Sequence, residues 1–131
     1  MAADRLISSK SPWESKIGFS RAVVAGDYVH VSGTTATVDG VLQHPGDAYR
    51  QTLVAIEVIA SALAQVDYAI EDVVRSRVYV ANPADLDAVS KAHGEAFGQI
   101  RPAATMLSGI GFVNPEMLVE IEVDAWKPSA K

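Results

Sequence analysis

Cysteine is absent from the chain, which excludes disulfides, thiolate catalysis and a cysteine-based zinc site. A surplus of positive charge is absent too. Acidic residues outnumber basic ones 16 to 11, the net charge is −5, and the eleven cations are spread along the sequence rather than clustered. That balance argues against a nucleic-acid partner and against an anionic membrane surface. No apolar run approaches the length of a membrane span. MAADRLISSK has no apolar stretch of the kind a secretory signal needs, so a cytoplasmic address is the expectation. Histidine is scarce, and His30, His44 and His93 form no i, i+4 pair of the kind that ligates a metal on a helix. There is no G-x-G-x-x-G or P-loop, and Ser32 lacks a G-x-S-x-G elbow.

What remains is ordinary material for one domain spanning residues 1–131, with 49% apolar and 21% charged residues. Residues 1–16 are polar, with Pro12 and Trp13 in an expected loop. FSRAVVAG (19–26) and DYVHVSG (27–33) are β-branched runs around a Gly26-Asp27 turn, which predicts a hairpin. Alternation places Phe19, Arg21 and Val23 on one face of its first strand. In the second, Val29 and Val31 oppose Tyr28, His30 and Ser32. Residues 34–47 carry Gly and Pro and read as a loop.

From Asp47, a plausible N-cap, to about Gln65 the period becomes helical, with Tyr49, Leu53, Ile56, Ala60 and Leu63 as the apolar stripe. VVRSRVYVAN (73–82) predicts a strand. Pro83 opens a second helix to about Gly98, striped by Leu86, Val89, His93 and Phe97. ATMLSG (104–109) and LVEIEVDAW (118–126) are the last strands. The order ββ–α–β–α–ββ predicts an α+β sandwich with both helices on one sheet face. Two helices cannot cover both faces, so the other face is expected to be hidden by self-association.

Glu120 and Glu122 share the open face of the last strand, while Val119, Ile121, Val123 and Ala125 take the core face. Two carboxylates aimed one way either line a solvated surface or do acid–base work in a cleft that raises a carboxylate's pKa. Arg75 and Arg77 alternate in the same way and are candidates to pair with these acids across the sheet. His93, on an apolar stripe, reads as a core or interface residue.

VHVSGTTA (29–36), TLVAIEVIASALAQVDYAIEDVVRSRVYV (52–80), HGEAFGQIRPA (93–103) and LVEIEVDAW together resemble the YjgF/YER057c/UK114 (Rid) family, from residue 17 onward. The resemblance implies a chorismate-mutase-like α+β fold, a homotrimer and small-molecule sites in clefts between subunits. It implies hydrolysis of enamines and imines to 2-oxo acids and ammonia, with no metal or organic cofactor. By the same resemblance Glu120 orients the attacking water, and Phe19, Ser32, Gly33 and Lys91 shape the pocket. The family's substrate-binding arginine falls on Ala104, with Met106 two residues further on. Arg101, three residues before Ala104, is not that arginine. A guanidinium–carboxylate contact is worth roughly 1.5–3 kcal/mol, or one to two powers of ten in affinity. Two expectations follow. In one, Arg21 replaces the missing clamp in a deaminase-like hydrolase. In the other, the protein is a non-catalytic trimeric ligand-binding or regulatory protein that keeps the cleft.

Overall fold

The computed structural model describes residues 5–9 and 11–129. Among the described residues, eight strands and two main helices follow one another along the chain. The strands are β1 (Leu6–Ile7), β2 (Ala22–Ala25), β3 (Tyr28–Thr34), β4 (Thr37–Val38), β5 (Val41–Leu42), β6 (Val73–Val80), β7 (Ala103–Ser108) and β8 (Val119–Trp126). The helices are α1 (Ala48–Ala64) and α2 (Leu86–Phe97). Six strands form one sheet in the order β1-β2-β3-β8-β6-β7, and β4 and β5 form a separate hairpin.

Alternation decides which side of each strand is dry. Val119, Ile121, Val123 and Ala125 of β8 are buried, as are Val29 and Val31 of β3 and Ser76, Val78 and Val80 of β6. All face the helices, as expected for a two-layer α+β domain. α1 begins where Asp47 caps it, the carboxylate accepting the Arg50 amide at 2.9 Å. Its buried side is Gln51, Ala55, Ile59 and Ala62 with Thr52, Ile56 and Leu63. That is about one residue round from the expected stripe: Tyr49, Leu53 and Ala60 sit at its margin. The cause is a polar core residue. Gln51 is fully buried; it donates to the carbonyls of His44 and Glu116 and accepts the Leu118 amide.

Three expectations need correction. Residues 5–16 are more than a loop, because Leu6 and Ile7 pair with Val23 and Ala22, and Glu14–Gly18 form one wide helical turn. The remaining N-terminal residues, 1–4 and 10, lie outside the described residues. The first hairpin strand begins at Ala22, so Phe19 and Arg21 both lie before it. The 34–47 loop contains a tight hairpin turning at Asp39-Gly40, both at positive φ, which is the Asp-Gly geometry favoured between short strands. The hairpin expected around Gly26 is present, and Gly26 itself takes φ +60°.

β7 lies parallel to β6 at the sheet edge, while β8 runs antiparallel between β3 and β6. Between Val31 and Thr34 the β3–β8 register gains one residue on β3. This bulge keeps Val31 and Thr34 both in the core and sets Ser32 and Gly33 apart from the regular ladder.

Candidate functional site

Glu120 and Glu122 differ in their surroundings. Glu122 accepts from Arg77 at 3.1 Å and from the Tyr79 hydroxyl at 3.2 Å, and Arg77 also reaches Asp124 at 3.4 Å. The expected cross-sheet pairing therefore exists for Arg77, where it occupies Glu122; Arg75 makes no ion pair with either acid among the described residues. Glu120 makes no such ion pair among the described residues. Its carboxylate packs against the bulge. A Cβ built on Gly33 would fall 1.9 Å from Glu120 Oε2, so only a glycine leaves room for the side chain to lie there.

Arg21 stands beside this pair. Its Nη2 donates to the Gly33 carbonyl at 2.5 Å, its guanidinium carbon is 6.0 Å from the centre of the Phe19 ring, and it is half-buried. The β2–β3 ladder holds it there through the Ser32 amide, which donates to the Arg21 carbonyl at 3.0 Å. Arg21 Nε is buried with no acceptor among the described residues. A buried donor left without a partner costs about 1–3 kcal/mol. Ser32 Oγ donates to the Ser20 carbonyl at 2.6 Å, which ties the bulge to the segment carrying Phe19.

The electrostatics follow from burial. Desolvation raises the Glu120 pKa above the ordinary carboxylate value; Arg21 opposes the rise and Glu122 adds to it. Desolvation lowers the Arg21 pKa, while Glu14 and Glu120 hold it up. Glu14 is the residue that sequence reasoning missed. It accepts from Ser8 Oγ at 2.8 Å, the Ser9 amide at 2.9 Å and Ser9 Oγ at 2.6 Å. Burial is the largest single influence on its pKa and raises it, but the hydrogen bonds from Ser9 and Ser8 and the charge of Arg21 together outweigh it, and the net shift is downward. Only the Ser-Ser pair upstream hinted that its carboxylate would be pinned.

An open groove of about 540 Å³ runs beside this centre. Leu6, Phe19 and Val23 give it apolar walls, Ser20 and Ser32 line it, and Glu14 stands at its side.

Lys91, Ala104 and Met106 lie elsewhere. Ala104 pairs with Ser76 and Met106 with Val78, so both point to the helix side of the edge strand, and Met106 Sδ is 3.5 Å from Ser90 Oγ of α2. Lys91 is exposed on α2 with its Nζ 5.2 Å from the centre of the Tyr49 ring. Glu120 pairs with Tyr79 on the opposite face. The expected site residues thus fall into two groups on opposite faces: Glu120, Gly33, Arg21, Ser32 and Phe19 on one, Lys91, Ala104 and Met106 on the other. His93 belongs with the second set. It is hydrogen-bonded to the buried Ser76 hydroxyl at 2.9 Å, lies 4.7 Å from the Phe97 ring, and burial lowers its pKa.

Fold and site together define a class: a two-layer α+β protein whose unpaired carboxylate and half-buried guanidinium share a β-bulge on the sheet face that the helices leave open. The sequence profile of the family described as Endoribonuclease L-PSP, also known as YjgF/UK114, matches residues 9–127, and the chain belongs to that family. An uncharacterized protein of Streptomyces coelicolor is 46% identical over 125 residues, covering 95% of this chain and 93% of that one. The 3-aminoacrylate deaminase RutC of Acinetobacter baylyi is 31% identical over 101 residues, covering 76% of this chain and 79% of that protein. A crystal structure from Mycobacterium tuberculosis, of a member of the YjgF/YER057c/UK114 family, superposes with a TM-score of 0.83 at 40% identity, covering 93% of this chain and 98% of that one.

Proposed function

We propose that the protein is a small-molecule hydrolase that deaminates an imine or enamine, working in clefts between the subunits of a homotrimer. The observation that carries this reading is the state of Glu120: partly buried, unpaired, seated on Gly33 and facing a cation, while its neighbour Glu122 is occupied. Such a carboxylate can hold a water, take its proton as the oxygen attacks the imine carbon, and return a proton to the departing nitrogen. The reaction is R–C(=NH₂⁺)–COO⁻ + H₂O → R–CO–COO⁻ + NH₄⁺. The Arg21 guanidinium serves as the fork for the substrate carboxylate in place of the arginine missing at Ala104. Phe19 walls the pocket, and the Gly33 backbone helps bind. A neighbouring copy brings the Lys91, Ala104 and Met106 edge opposite. The deaminase named among the relatives supports the reaction class. The net charge of −5 speaks against RNA as the substrate.

The test generates 2-aminoacrylate in situ and follows 2-oxo acid release. The protein is expected to accelerate release, and Glu120→Ala to abolish the acceleration. Acceleration that survives this substitution removes Glu120 from the chemistry. No acceleration by a correctly assembled trimer favours the ligand-binding alternative.

The pH profile gives a second check. The ionised form of Glu120 is the active one, so the rate falls as pH drops through a pKa that burial raises. Arg21→Met removes a cation that lowers that pKa and is expected to move the acid limb to higher pH. Glu122→Gln removes an anion that raises it and moves the limb the other way. Shifts in the same direction for both variants would detach the limb from Glu120.

A further inference from the structure

The reaction above uses only the Phe19 side of the groove beside Arg21, and the groove's walls are unevenly built. Leu6, Phe19 and Val23 supply apolar surface, and Leu6 is 49% exposed although it sits in a paired strand. About 540 Å³ is within the range of small-molecule sites and far more than a methyl group needs. Among the described residues the carboxylate on its lining is Glu14, whose oxygens are already engaged by Ser8 and Ser9 and which stays ionised beside them. A second anion there meets that fixed negative charge, and no cationic side chain among the described residues lines the groove to offset it. At the sheet, by contrast, the Arg21 guanidinium lies against the Phe19 ring and keeps a buried Nε without an acceptor.

We infer that the groove is a specificity subsite that receives the tail of the ligand, and that the ligand is a 2-imino or 2-oxo monocarboxylate with an uncharged apolar side chain of four or so carbons or an aromatic ring. The carboxylate sits on Arg21, the reacting carbon beside Glu120, and the tail runs over Val23 and Leu6. The N-terminal segment is therefore part of the site: β1 and the turn at Glu14–Gly18 form the far wall. This assignment rests on the proposed placement of a substrate carboxylate at Arg21.

The experiment uses stable 2-oxo acids, which occupy the site without turnover, and measures their binding to the intact protein by calorimetry or NMR titration. 4-Methyl-2-oxopentanoate is expected to bind at least about tenfold more tightly than pyruvate, the worth of roughly two buried methylenes. 2-Oxoglutarate is expected to bind no better than pyruvate. Val23→Trp fills the groove and should reduce the preference for the branched acid to less than about threefold. Glu14→Gln should improve 2-oxoglutarate relative to pyruvate. Equal binding of the branched acid and pyruvate by the unmodified protein overturns the subsite, as does a preference that persists in Val23→Trp. Should Val23→Trp not fold, the comparison in the unmodified protein and the Glu14→Gln variant decide the matter. A tenfold preference without any imine hydrolysis would sink the hydrolase reading and leave the groove assigned. Hydrolysis without the preference would do the reverse.

Discussion

Gly33→Ala is expected to lower kcat/KM for imine hydrolysis about a hundredfold while leaving the fold nearly as stable as before. The new methyl would lie 1.9 Å from Glu120 Oε2, 2.9 Å from Cδ and 3.3 Å from Cγ. These three nearest atoms all belong to one flexible side chain, and Gly33 does not hold a positive φ, so alanine strains no backbone. Glu120 must swing aside, and an ångström of misplacement in a water-positioning group costs about two powers of ten. Thermal unfolding should move by only a few degrees, corresponding to about 1 kcal/mol. Full activity in Gly33→Ala would show that the carboxylate works from a different rotamer, and the bulge would lose its assigned role. A collapse in stability would show instead that the glycine serves the sheet.

The second large effect concerns stability. Gln51→Leu keeps the volume but removes a side chain that makes three hydrogen bonds to backbone groups on two loops, at 3.1, 3.1 and 2.9 Å. Leucine deprives the His44 and Glu116 carbonyls and the Leu118 amide of that partner at a position where the Gln51 side chain is fully buried, at an expected cost of about 3 kcal/mol. For a chain of this length that lowers Tm by about 10 °C. Denaturant unfolding checks it, and a loss under 1 kcal/mol would mean that water replaces the amide. Because Leu118 immediately precedes β8, the same variant should also loosen the strand that carries Glu120.

These two residues show where sequence reading reached and where it stopped. The hairpin around Gly26, both main helices, β6 and β8 were legible, because each shows a run of correct period bounded by a turn or cap. The open-face pairing of Arg77 with Glu122 followed from the same alternation. β1 and the β4–β5 hairpin did not emerge, because two-residue strands carry no period, although Asp39-Gly40 was a usable turn signal. Gln51 was invisible for another reason: a polar residue on a helix reads as solvent-facing unless its partners are known, and those lie seven and 65 residues away. That Arg21 and Glu120 share the open face was readable from strand alternation. The division of the expected site residues between two faces was not, since that depends on β7 running parallel to β6 with Ala104 beside Ser76. The Gly33 bulge is likewise a matter of register, which no single strand's pattern contains.

The position of β8 has a consequence for cooperativity. β8 lies between β3 and β6, so one strand joins the β1-β2-β3 half of the sheet to the β6-β7 half. Take it away and the β2–β3 hairpin and the β6–β7 pair become separate surfaces, each with an unpaired edge open to other chains. The strand that presents Glu120 is thus also the seam of the sheet, and damage to it costs both halves their partner at once.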